Sequence, residues 1–110
     1  MQSPAIVPGF VLPERAMLIL SLSYCAAPEA VDALREPHMD WVAEGYARGL
    51  FLASGRKQPL TGGIILARGS HTEIEAFVAT DPFVNGGVAQ YDITEVTITR
   101  TAPGLEGLGG

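Results

Sequence analysis

Residues 28–48 read PEAVDALREPHMDWVAEGYAR, and the spacing of their apolar groups decides what surrounds them. Val31, Leu34, His38, Trp41 and Val42 recur at three- and four-residue intervals. That interval stacks side chains on one face of a helix. Pro37 lacks an amide donor and crowds the turn before it, which disfavours one uninterrupted helix. The spacing therefore predicts a short helical piece near residues 28–35, then a second helix with Pro37 in its first turn. Gly45 weakens the end of that helix, and Gly49 is suited to a left-handed cap. His38 falls in or near the first turn, facing the layer that the helix covers.

Strand signals lie on either side. MLILSLSY (17–24) sets Leu18, Leu20, Leu22 and Tyr24 against Met17, Ile19, Ser21 and Ser23, and both faces begin apolar. LFLASGRKQ (50–58) is a second strand, with Leu50, Leu52 and Ser54 on one side and Phe51, Ala53 and Gly55 on the other. PLTGG supplies turn residues before GIILAR (63–68). Ser70 and Glu73 then have the spacing of a capping box, with Ile74, Phe77 and Val78 as the inward stripe of another helix. YDITEVTITR (91–100) closes the series with alternation and β-branched residues.

The order strand, helix, strand, strand, helix, strand predicts an α+β, ferredoxin-like domain. Two main helices would cover one face of a four-stranded antiparallel sheet. A hairpin-rich topology is the alternative. Apolar groups on the other face predict burial against a second copy, a homodimer whose sheets join into a barrel-like body. Residues 1–16, with three prolines and no sustained period, read as an irregular arm. Residues 17–100 are the domain, and residues 101–110 read as a flexible tail.

A chain of 110 residues suits one domain, and 47% apolar content argues against disorder. The net charge of -5 argues against nucleic acid as a partner, because phosphate backbones reward dense positive charge. A local basic pocket at Arg56 and Lys57 remains open to an anionic small molecule. With one cysteine there is no intrachain disulfide and no thiolate metal cluster. Cys25 itself reads as a buried structural thiol. Neither a signal segment nor a membrane span is expected, so cytoplasmic residence is the default. The glycine clusters lack P-loop spacing, and two histidines with scattered acids make a poor metal set, so no cofactor or metal is expected.

Several pieces together carry a family resemblance: the first strand, PHMDWVAEGYARGLFLASG (37–55), the paired glycines of TGGIILA (61–67), and DPFVNGGVAQYDI (81–93). In order and spacing, residues 17–99 resemble the YCII-related family. The resemblance implies a dimeric α+β barrel of ferredoxin-like units. It also implies a pocket in which a first-helix histidine and the aspartate before Pro-Phe form a pair; here these are His38 and Asp81. Where the family often has Ser-Gly-Pro after the second strand, this chain has Ser54, Gly55 and Arg56, a change in pocket shape or charge. One family member is similar to an aromatic-ring dehydrochlorinase, and muconolactone isomerases share the wider fold.

The pair has a chemical rationale. Histidine exchanges protons near neutral pH, and an aspartate on its other nitrogen fixes the tautomer and stabilises imidazolium. Proton transfer on a small cyclic or aromatic metabolite, as in a lyase or isomerase, would use it. Ser54 is a candidate hydrogen-bond donor, and Arg56 a candidate fork for a carboxylate or phenolate. Trp41 and Phe83 are candidates to line the cavity. Each residue also has a plainer reading: His38 as a satisfied core histidine, Asp81 as a helix cap at Pro82, Ser54 as a loop signal. Arg56 would then be a solvated cation, and Trp41 and Phe83 core packing. A non-catalytic dimeric domain that binds a metabolite is the alternative function.

Overall fold

The computed structural model describes residues 17–109, so the arm expected over residues 1–16 lies outside the described residues. Strand β1 is Met17–Tyr24, followed by helices α1, Pro28–Ala33, and α2, Arg35–Ala47. Strands β2, Phe51–Arg56, and β3, Gly62–Arg68, come next. Helices α3, His71–Val78, and α4, Pro82–Asn85, precede β4, Ala89–Val96. A 3-10 turn, Glu106–Gly109, ends the described chain, and its Gly107 carbonyl accepts a hydrogen bond from Arg68.

Pro37 stands in the first turn of α2, as its missing N–H requires. Gly49 ends the helix at φ 75°, a conformation that L side chains seldom adopt. Ser70 Oγ accepts the Glu73 N–H at 3.0 Å and so caps α3. No helix among the described residues is long and apolar enough to cross a membrane.

The strands form one sheet in the order β2-β3-β1-β4, with every neighbouring pair antiparallel. The α1–α2 segment therefore crosses from β1 to β2 over β3, and α3–α4 crosses from β3 to β4 over β1. The expected barrel is corrected here. Among the described residues three ladders join four strands, β2 and β4 are the two edges, and the sheet is open. Closure needs strand number, tilt and stagger that bring the first and last strands into hydrogen-bonding register. No such ladder joins β2 to β4. The second face is less apolar than the alternation in β1 implies. Ile19, Ile64 and Leu66 are half-buried there, and they share the face with Ser21, Ser23, Asp92 and Thr94. A sheet with a mixed face can remain open.

On the helix-covered face, Leu18 and Leu20 are fully buried and pack with Trp41, Val42, Ile74 and Phe77. A second cluster gathers Leu22, Val31, Phe83, Val88 and Ala89. The site lies at the end of the sheet where this smaller cluster sits.

Two local features shape that end. Phe51 pairs with Ala67 and Ala53 with Leu66, so Leu52 is an extra residue, a β-bulge. From there the alternation is reversed: Ser54 stands opposite the buried Ile65, and Arg56 opposite Gly63. Both face the helices, whereas simple alternation set Ser54 on the side opposite Phe51. The paired glycines let β3 approach its neighbours. A Cβ on Gly62 would overlap the Leu22 carbonyl oxygen, and one on Gly63 would stand 2.8 Å from the Gly55 carbonyl. Gly62→Ala must push backbone against backbone and is expected to cost about 3 kcal/mol or more. A lowered midpoint in urea unfolding with an unchanged slope would show it.

Candidate functional site

His38 is held in α2, its N–H bonded to the Leu34 carbonyl at 3.0 Å. Asp81 sits where α3 has ended and α4 has not begun. It is fully buried, an extreme position for a carboxylate, and three donors account for it. Its Oδ1 accepts the Phe83 N–H at 2.9 Å, capping α4, and lies 2.8 Å from His38 Nδ1. Its Oδ2 accepts the Tyr91 hydroxyl at 2.6 Å. The cap and the histidine partner are thus one group in both roles.

The flanking aromatics fix this geometry. The Phe83 ring stacks on His38 at 3.9 Å between centroids and 7° between planes. Trp41, three residues after His38, lies 5.8 Å away on a tilt of 26°. Its Nε1 donates to Thr80 Oγ1 at 3.0 Å and to the Phe77 carbonyl at 3.2 Å. The indole thereby ties α2 to the chain directly before Asp81. Trp41 and Phe83 were expected as lining of the cavity; both are buried and pack around the imidazole instead of forming the wall.

An ionised Asp81 can only accept, so the neutral imidazole carries its proton on Nδ1 and its lone pair on Nε2. Burial, then the charge and hydrogen bond of Asp81, push the Tyr91 hydroxyl far above its usual range. It stays protonated and remains a donor. Tyr91→Phe would leave Oδ2 without this partner. It is expected to destabilise the fold by about 1.5–3 kcal/mol, read from chemical denaturation.

His38 also forms part of the wall of a cavity of about 590 Å³, a size suited to a small molecule. Arg35, His38, Met39 and Val42 of α2 make one side. Leu22 and Tyr24 of β1, Ser54 to Arg56 of β2 and the start of β3 make the others. The bulge at Leu52 is what turns Ser54 and Arg56 toward this space. Ser54 Oγ is 2.7 Å from the Tyr46 hydroxyl, and Arg56 is exposed at the rim. Lys57 reaches Ser23 Oγ at 3.3 Å.

Arg35, Tyr24 and Met39 were missed by sequence reasoning, as was Tyr91. The signal for two of them was the i, i+3, i+4, i+7 spacing of Arg35, His38, Met39 and Val42, a second stripe beside the apolar one. Tyr91 shares the helix-covered face of β4 with Ala89 and Ile93. Arg35 Nε and Nη2 bond Asp32 Oδ1 at 3.2 and 2.9 Å. Asp32, then Tyr24, raise its pKa further, so it is always a cation. Cys25 departs from expectation: it is exposed, its Sγ 3.6 Å from the Gly87 carbonyl, because β1 has already left the core there. His71 is half-exposed, between Glu75 and Glu95 at 3.4 Å each.

Comparison with known proteins adds a family and a fold. Residues 17–97 match the model of the YCII-related domain. No curated protein matches the chain. Among solved structures, the chain is similar to 5-chloro-2-hydroxyhydroquinone dehydrochlorinase (TftG) from Burkholderia phenoliruptrix AC1100 in complex with 2,5-dihydroxybenzoquinone. The TM-score is 0.62 at 15% identity, over 82% of this chain and 97% of that one. It is also similar to SnoaB, a cofactor-independent oxygenase from Streptomyces nogalater. There the TM-score is 0.50 at 13% identity, over 83% of this chain and 99% of that one. At these identities the likeness is one of fold.

Proposed function

The chain belongs to the YCII-related domain family, and we propose that it is a cofactor-independent enzyme, a lyase or isomerase acting on a small cyclic or aromatic metabolite. One observation carries this reading: the same imidazole touches a fully buried carboxylate through Nδ1 and forms part of a cavity wall. His38 Nε2 removes a proton from a ring carbon made acidic by a neighbouring carbonyl. Asp81 stabilises the imidazolium that results. In an isomerisation the proton returns at another ring position. In an elimination the electron pair expels a leaving group and the proton is passed to water. Ser54 and Arg56, which line the same cavity, would bind substrate oxygens, and the dehydrochlorinase of similar fold is named for a ring compound of comparable class.

The test is turnover of a panel of cyclic carbonyl and phenolic compounds by wild type and His38→Ala. Loss of about 10²-fold or more is expected in the variant. Equal turnover by a folded His38→Ala would end the assignment of the base.

A second reading has its own observation. Asp81 joins α2, α4 and β4 through three hydrogen bonds, a service that needs no chemistry. In that reading the chain is a homodimeric metabolite-binding domain, its copies meeting through the half-buried Ile19, Ile64 and Leu66. Ligand binding without consumption, retained in Asp81→Asn, would favour it, and sedimentation would give the number of copies.

A further inference from the structure

A second hollow, of about 350 Å³, opens beside the one that His38 lines. Tyr24 and Arg35 line both, so these two side chains border each space. Their walls differ in kind. Among the described residues, the first has Arg35 and Arg56 as its charged lining and no carboxylate, in a chain whose net charge is -5. The second is walled largely by Ala26, Pro28, Val31 and Leu60, and its carboxylate, Asp32, is the one Arg35 already holds. Leu60 is 49% exposed, an apolar surface that none of the described residues covers.

Arg35 stands at the junction with part of its five-donor fork on Asp32, which orients the guanidinium. Its side chain keeps 39% of its accessible surface, and the bond to Asp32, which exposed Arg56 lacks, holds its guanidinium in place. It precedes His38 by three residues, which sets their Cβ atoms about 5–6 Å apart, within the span of one small molecule.

We propose that the two hollows form one ligand site, in which Arg35 holds a carboxylate at the junction, a ring lies toward His38, and a short apolar chain lies against Pro28, Val31 and Leu60. The ligand class is a branched ring acid, in which the carbon bearing the carboxylate also bears the ring and the chain. This rests on the reading of the His38 cavity as a ligand site, and adds to it the residue that selects charge and the surface that selects length.

Four probes test it: phenylacetate, 2-phenylhexanoate and the two corresponding amides, titrated into the full ¹⁵N-labelled chain and followed by NMR. The longer acid is expected to bind about tenfold tighter than the shorter, from partial burial of its butyl group. It alone should shift the Ala26 and Thr61 amides. Each acid should bind about tenfold tighter than its amide, and Arg35→Gln should remove that difference. Leu60→Ser should remove the gain from the butyl group and leave phenylacetate unchanged. Both substituted side chains lie outside the core clusters, so both variants are expected to fold.

Equal binding of acid and amide, a chain-length gain insensitive to Leu60→Ser, or no binding of either acid would overturn the proposal. The probes are read without turnover. Activity lost in His38→Ala alongside a flat probe series would keep the proton-transfer reading and remove this one. The full probe pattern in a protein that converts nothing would do the reverse.

Discussion

Asp81→Asn is expected to lower turnover by about 10³-fold while leaving the fold nearly intact. The arrangement of the three hydrogen bonds predicts this separation. Oδ1 receives both the Phe83 N–H and the His38 Nδ1 proton, and an amide oxygen in the same place accepts both. The amide nitrogen then faces Tyr91, whose hydroxyl can turn from donor to acceptor. The tautomer of His38 and the cap of α4 both survive. What disappears is the negative charge beside the imidazolium. Two unit charges about 4 Å apart interact by roughly 4 kcal/mol at an effective dielectric near 20. That is about three decades in rate. Circular dichroism and a denaturation midpoint close to wild type, together with the turnover loss, would bear out the role. A variant of undiminished activity would show that no charge develops on His38.

Asp81→Ala is expected to have the largest effect on stability, about 3–5 kcal/mol. No side-chain acceptor remains, so the Phe83 amide, the Tyr91 hydroxyl and the His38 Nδ1 proton all lose their buried partner. Each buried donor left unpaired costs about 1–3 kcal/mol, with some relief as Tyr91 and His38 turn. The truncation also leaves a void beside Phe83, which is itself fully buried. For a domain of this size such a loss is a large share of the total stability. Urea denaturation decides it. A shift below about 1 kcal/mol would mean that water enters and replaces the carboxylate, and that the pair is less sheltered than its burial indicates.

The two variants together separate the roles of one residue. Asn keeps the structural acceptor and removes the charge; Ala removes both. A protein that used Asp81 only as a cap would tolerate Asn in every assay.

Period and punctuation in the sequence were enough for α1, α2, α3 and most strands, but not for the short α4. The three- and four-residue stripe marked α2, Pro37 divided it from α1, and Ser70 with Glu73 marked the start of α3. These features are local: each depends on residues within one or two turns of chain. Alternation in β1 separated Leu18, Leu20 and Leu22 from Ile19, Ser21 and Ser23, and the burial follows it. The same rule failed in β2 at Leu52, because a bulge depends on the partner strand and leaves no mark in a period of two.

The residue types at His38 and Asp81, and the chemistry open to them, could be read from the chain alone. Their separation of 43 positions could not be closed by any local rule. Tertiary structure decided that Trp41 would tie α2 to Thr80, that Tyr91 would supply a third bond to the carboxylate, and that the sheet would stay open. It also turned Ser54 and Arg56 toward the cavity and placed Arg35 between two hollows. Periodicity records which side of an element is apolar. Which distant group meets that side is settled by packing of the whole chain, where desolvating a carboxylate is tolerable only if several far-apart donors arrive at it together.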